Sequence, residues 1–277
     1  MSAAADGFPQ RIVCLTEETT ETLYLLGEED RIVGISGFTV RPARARKEKP
    51  RVSAFTSAKI DRILALQPDL VLGFSDLQAD IAAQLGRAGL DVHLFNQRSV
   101  PEILRMIRTL GGMIGCETRT AELVVQLEVG IDTARKRAQA LPRRPRVYFE
   151  EWDEPLISGI RWVSEVIGIA GGDDCFPELS LQALGRQRII ADAAEVPRRT
   201  PDIIFGSWCG KKFQPEEVAA RPGWSAIPAV RSGFVREIKS PIILQPGPAA
   251  LTDGLHAVQQ IIEEWAEKTT KSAAARE

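Results

Sequence analysis

Apolar and polar positions along the chain fall into two alternating patterns. Short, uninterrupted apolar runs at Arg11–Leu15, Arg31–Ile35, Asp69–Leu72, Val92–Phe95, Val147–Glu150, Ile203–Phe205 and Phe234–Ile238 predict buried strands. Between them, Thr19–Leu26, Ile60–Leu66 and Asp80–Leu85 carry apolar residues at helical spacing. Strands without polar alternation, separated by helices, predict an α/β fold whose parallel sheets are covered on both faces.

The pattern repeats. Pro68-Asp69-Leu70-Val71-Leu72-Gly73-Phe74-Ser75 matches Pro201-Asp202-Ile203-Ile204-Phe205-Gly206-Ser207-Trp208, an offset of 133, and Arg11-Ile12-Val13 matches Arg146-Val147-Tyr148, an offset of 135. Two matches at nearly one spacing predict two similar lobes. Between them, Thr118–Leu141 places Ala121, Val124, Leu127, Ile131, Ala134 and Ala138 on one helical face, with Gly115 before it and Pro142 and Pro145 after. Such a helix is ~35 Å long, enough to link two lobes while permitting only small hinge motions. The expected organisation is an amino-terminal α/β lobe over 1–116, a linker helix over 117–142 and a carboxyl-terminal α/β lobe over 143–277. Pro246-Gly247-Pro248 marks the start of a last helix reaching Trp265, and Lys268–Glu277 reads as a frayed tail.

Composition narrows the function classes. The 277 residues carry 35 Lys and Arg against 37 Asp and Glu, a formal net charge of −2, which gives no reason to expect nucleic-acid binding. No apolar run reaches the ~18 residues that span a bilayer, so no membrane insertion is expected. Cys14, Cys116, Cys175 and Cys209 are scattered without a CxxC pair and read as reduced thiols. Met1–Pro9 has neither a basic start nor an apolar core, and Cys14 follows no hydrophobic leader, so the expectation is a cytoplasmic protein, or a periplasmic one if a leader has been removed.

Catalytic chemistry is sparse. There are two histidines, His93 in a strand and His256 in the last helix, and no HExxH, GxxxxGK[ST] or GxSxG motif. Neither a catalytic residue nor a metal site is expected. Aromatic residues beside strand ends are the salient feature instead. Phe74 follows Asp69–Leu72, Trp208 follows Asp202–Phe205 at the equivalent repeat position, Trp152 follows Val147–Glu150, and Trp162 lies in the next segment. Ligands of open α/β sheets sit beyond the carboxyl ends of strands, so these rings, with Phe55, are candidate walls of a cleft between lobes. Thr16, Thr56, Ser75, Ser207 and Gln245 are candidate polar contacts. The basic segment Arg41–Arg51 reads as a solvated loop, with a basic cleft rim that includes Lys211-Lys212 as the alternative.

A larger set of motifs runs in order along the chain. It comprises Arg11–Leu15 with Thr20-Glu21, Leu26-Gly27 and Val33-Gly34, then Ile63-Leu64-Ala65-Leu66-Gln67-Pro68-Asp69-Leu70-Val71. It continues with Glu150-Glu151-Trp152-Asp153-Glu154-Pro155-Leu156, Ala170-Gly171-Gly172, Pro201-Asp202-Ile203-Ile204, Arg221-Pro222-Gly223-Trp224 and Pro246-Gly247-Pro248. From about Arg11 to Trp265 the chain resembles the cobalamin and ferric-siderophore substrate-binding proteins of ABC importers, nearest to the cobalamin-binding branch. The resemblance implies two Rossmann-like lobes joined by one long helix, no catalysis, and a corrinoid ligand held by cleft aromatics for ABC-type uptake or intracellular handling. It implies an acid on each lobe that docks to permease arginines. Asp80 matches the first, and by position Glu216 or Glu217 the second. An iron chelate (siderophore or haem) is the alternative ligand, and a chelatase-like enzyme on the same scaffold is the reading from another class.

Overall fold

The computed structural model describes residues 7–274, so the reading of Met1–Asp6 and of the last three residues of the tail lies outside the described residues. The chain divides into two compact units, one made of residues up to Gln97 with Pro101–Leu127 and Pro246–Pro248, the other of Arg98–Val100, Glu128–Gln245 and Ala249 onward. Each has its own sheet.

The first unit contains β1 (Ile12–Cys14), β2 (Ile32–Ser36), β3 (Arg51–Ser53), β4 (Leu70–Phe74) and β5 (Val92–Phe95) in the order β3-β2-β1-β4-β5, with every pairing parallel. This is the doubly wound arrangement, and its order reverses between β1 and β4. Val13, Leu15, Val52, Ile63, Val71, Ile81 and Leu85 form one of its cores. The expected strands are present with ends moved by at most two residues, but β3 was missed: its three residues begin with Arg51, inside the segment read as a loop. That segment also forms a short helix, Ala45–Glu48, and two of its arginines are engaged. Arg41 pairs with Glu21 at 2.8 Å, and Arg44 pairs with Glu29 at 2.6 Å while lying over the Tyr24 ring.

The second unit contains β6 (Arg146–Asp153), β7 (Leu156–Ser158), β8 (Asp173–Asp174), β9 (Ile203–Gly206) and β10 (Val235–Glu237) in the order β10-β9-β6-β7, with β8 also on β6. The sheet is mixed, where a parallel one was expected: β7 runs antiparallel to β6. Only the Glu154-Pro155 turn separates the two strands, and so short a connection can only reverse the chain. Tyr148, Phe176, Ile204, Trp208, Phe213, Val218 and Trp224 are among its core residues.

The Pro-Asp repeat has a structural meaning. Asp69 accepts the backbone N–H groups of Gln10 and Arg11 at 2.7 and 2.8 Å, and Asp202 accepts that of Arg146 at 2.9 Å. In both units the aspartate that opens the second strand caps the start of the first, β1 or β6, beside it.

The linker helix spans Glu117–Gln139, and the boundary between the units falls inside it, at Leu127 and Glu128. Gly115 precedes it at φ +68°, a left-handed turn that favours glycine. Val124, Leu127, Ile131, Ala134 and Ala138 are buried as expected, but Ala121 is exposed and Thr120 takes its place. A side chain at Gly111 would meet the Thr120 hydroxyl at 1.9 Å, so that glycine permits the helix contact. The last helix runs Leu255–Ala274, continuing through the stretch read as a frayed tail from Lys268. Among the described residues no helix is long and apolar enough to cross a membrane.

Candidate functional site

In an open α/β sheet the carboxyl ends of the strands at the order reversal leave room for a ligand. In the first unit these ends belong to β1 and β4. The chain leaves β1 through Cys14 and Leu15 and enters the helix Glu17–Leu25 at once, so the first helical turn carries two acids, Glu17 and Glu18. Both are buried, with 6% and 1% of their surface exposed. Thr16 donates its hydroxyl to Glu18 Oε1 at 2.7 Å, and the Gln97 amide also hydrogen-bonds the Glu18 carboxylate. Gln97 donates through Nε2 to the Pro246 carbonyl at 2.9 Å, which brings the Pro246-Gly247 backbone against Glu18. A side chain on Gly247 would lie 2.5 Å from Glu18 Cβ. Burial, with the neighbouring Glu18 and Glu21 charges and against Arg46, pushes the Glu17 carboxyl up to about 8. Burial raises Glu18 to about 7 against the hydrogen bonds it accepts. Two acceptors here, Glu17 Oε2 and Gln97 Oε1, have no donor among the described residues.

Exposed apolar side chains follow the neighbouring strands of the same sheet. Phe38 follows β2, Phe55 follows β3 and Leu77 follows β4, with 55%, 37% and 43% of their surfaces exposed. Buried Gln78 holds the loops in place. Its Oε1 accepts the Phe74 N–H at 2.9 Å and its Nε2 donates to the Phe55 carbonyl at 2.8 Å. Ser75 sits at φ +63°, ψ 171°, a backbone conformation that costs about 1–3 kcal/mol in a residue other than glycine.

The second unit treats its acids differently. Glu150, at the order reversal between β6 and β9, is fully buried and saturated with donors. Arg221 grips it from Nη1 and Nη2 at 2.5 and 2.9 Å, and Trp208 Nε1 and the Tyr148 hydroxyl each donate at 3.1 Å. Burial and the Glu150 charge push the Tyr148 hydroxyl well above its ordinary range. Glu151 forms a bidentate pair with Arg188, and Asp153 pairs with Lys211.

The predicted site residues therefore fall into two groups. Phe55 and Thr56 are exposed in the loop after β3, Trp152 is half-buried with its N–H on the Glu154 carbonyl, and Gln245 is half-buried ahead of Pro246. The rest are held inside their own units. Trp208 is 3% exposed, edge-on to Phe213, and Trp162 is buried with its N–H on the Ile243 carbonyl at 2.8 Å. Phe74 is the buried last residue of β4, Thr16 spends its proton on Glu18, Ser75 accepts the Leu77 N–H, and Ser207 is buried. Phe74 and Trp208 are not equivalent positions either. The offset of 133 sets Phe74 level with Ser207 and Ser75 level with Trp208. Adjacent residues of a strand point to opposite faces, so this single step separates the two rings.

Phe38, Leu77, Glu17, Glu18, Gln78 and Gln97 were missed. Phe38 carried a readable signal, being an aromatic three residues past a predicted strand. The acids did not, because two glutamates opening a helix ordinarily mean solvation and favourable dipole contact. The proposed docking acids are exposed: Asp80 in the first turn of Ala79–Arg87, Glu216 and Glu217 in Pro215–Ala219. No cluster of three or more His, Cys, Asp or Glu side chains suited to a metal ion occurs among the described residues.

Comparison with known proteins decides the family. The model of the periplasmic binding protein family matches residues 12–242. The chain belongs to that family. It is accordingly a solute-binding protein, and the family is one of binders rather than enzymes. It is 28% identical over 221 residues to a Vitamin B12-binding protein of Vibrio campbellii, covering 73% of this chain and 72% of that one. It is 24% identical over 268 residues to an ABC transporter substrate-binding lipoprotein of Bacillus subtilis, covering 92% and 80%. Two solved structures share the fold. The periplasmic vitamin B12 binding protein BtuF of Vibrio cholerae superposes with a TM-score of 0.74 at 21% identity, covering 93% of this chain and 98% of that one. The periplasmic heme-binding protein RhuT of Roseiflexus does so with 0.76 at 23%, covering 91% and 99%. These relationships correct the cytoplasmic expectation. The family is periplasmic and one relative is a lipoprotein, which points to a location outside the cytoplasm.

Proposed function

We propose that this binding protein carries a corrinoid of the cobalamin type to an ABC importer permease. The observation that supports it most is the carboxyl end of the first sheet, where Phe38, Phe55 and Leu77 follow their strands with exposed side chains and Glu17 and Gln97 keep buried acceptors. A corrin has broad apolar faces and an edge of amides, and needs flat apolar contacts with a few polar groups rather than a ring of charges. Relatives named for vitamin B12 support the same ligand class. Asp80, with Glu216 or Glu217, would meet permease arginines, a role their exposure allows. Calorimetry with cyanocobalamin tests the reading. Saturable binding at micromolar ligand is expected, and no heat at high micromolar ligand refutes it.

An iron chelate is the second reading, supported by fold neighbours named as heme-binding proteins. The same titration with haemin separates the two.

A further inference from the structure

The acids at the end of β1 in the first unit are unlike those of the second. Glu150 has four donors directed at it, and Glu151 and Asp153 each have a basic partner, with Asp153 Oδ1 alone of these left without a donor among the described residues. In the first unit, Glu17 Oε2 and Gln97 Oε1 are buried without a donor among the described residues. Both border Glu18: Gln97 bonds its carboxylate, and Glu17 precedes it and feels its charge. Gln97 is 97% removed from solvent, counting from its 3% exposure, and is anchored through its other amide atom to the Pro246 carbonyl. An anchored amide whose oxygen faces no donor is costly to bury, by about 1–3 kcal/mol, unless a ligand supplies the missing N–H or O–H.

We propose that the end of β1 is a subsite for a primary amide of the solute, with Gln97 Oε1 and the Glu17 carboxyl as its acceptors. This assignment rests on the corrinoid reading and deepens it. An amide NH2 offers two donors and no charge. A carboxylate offers none, leaves Gln97 Oε1 without its donor, and at pH 9, where Glu17 and Glu18 have ionised, sets a further negative charge beside them and Glu21. Arg46 acts on Glu17 in the opposite sense, more weakly than the Glu18 and Glu21 charges together, and Arg41 is engaged with Glu21. The subsite therefore selects a corrinoid edged with amides over a tetrapyrrole edged with carboxylates, haem included.

Three probes test it by calorimetry on the whole protein at pH 9, where the Glu17 carboxyl is ionised: cyanocobalamin, the same corrin with its side-chain amides hydrolysed to carboxylates, and haemin. The expected result is at least a tenfold preference for cyanocobalamin over the carboxylated corrin. In Glu17→Gln, checked for folding by circular dichroism, that preference should fall at least threefold, because the carboxylated corrin binds more tightly. In Gln97→Met, cyanocobalamin should weaken about tenfold and the carboxylated corrin much less. Equal affinities for the two corrins, or a preference unmoved in both variants, overturn the subsite and leave the corrinoid reading standing. Haemin binding more tightly than either corrin, or no heat from any probe, overturns both.

Discussion

Replacing Glu17 by glutamine removes one buried carboxyl and keeps its shape. The Glu17 carboxyl titrates near 8 in the folded chain against an ordinary 4.5, chiefly because burial disfavours its charge. An acid whose value is raised by folding takes up protons as the chain folds. Its contribution to stability is complete below about pH 4.5 and is lost as pH rises through about 8. That interval corresponds to about 5 kcal/mol, at about 1.36 kcal/mol per pH unit. Water drawn to the ionised carboxyl and relaxation around it reduce this, so roughly 2–3 kcal/mol disappears with Glu17. Urea unfolding of the wild type and Glu17→Gln at pH 5, 7 and 9 measures it. At pH 5 protonated glutamate and glutamine are near equivalents, and the two proteins should agree within about 0.5 kcal/mol. At pH 9 the variant should be the more stable by about 2–3 kcal/mol. Parallel stability profiles, or a variant less stable at pH 9, would refute the reasoning that burial and mutual repulsion hold these acids protonated.

Gln78→Leu strands the Phe74 N–H and the Phe55 carbonyl and should destabilise by about 2–4 kcal/mol, read as a lower urea midpoint at unchanged slope. Trp208→Ala should be a folding variant rather than a simple binding variant, losing about 3–5 kcal/mol, because the ring is buried and its N–H serves Glu150; thermal melting decides this. Phe38→Ser should weaken cyanocobalamin about tenfold by calorimetry while shifting stability by less than about 1 kcal/mol, since more than half of the ring's surface is exposed. Asp80→Lys should reduce permease-coupled uptake in reconstituted vesicles by an order of magnitude if that acid docks, and leave uptake at the wild-type rate if it does not.

The strands, the alternation with helices, the long helix and the relation between β1–β4 and β6–β9 were written in the local pattern. A fully buried parallel strand must be apolar throughout, and a long helix must repeat its apolar face. The order of motifs also carried the family. What the pattern could not reach depended on distant partners. β3 begins with an arginine and is a strand only because the edge of β2 is there to pair with it. Trp208 follows a strand like a ligand-facing ring, yet Glu150, 58 residues earlier, draws its N–H inward. Glu17 and Glu18 look like the solvated start of a helix. Gln97 and the Pro246-Gly247 backbone, brought against Glu18 from far along the chain, make its surroundings those of a buried carboxyl, and Glu17 beside it is buried too. Local sequence fixes periodicity and turn chemistry. Burial, hydrogen-bond satisfaction and charge state belong to the neighbours the fold supplies, and the candidate site is made of those.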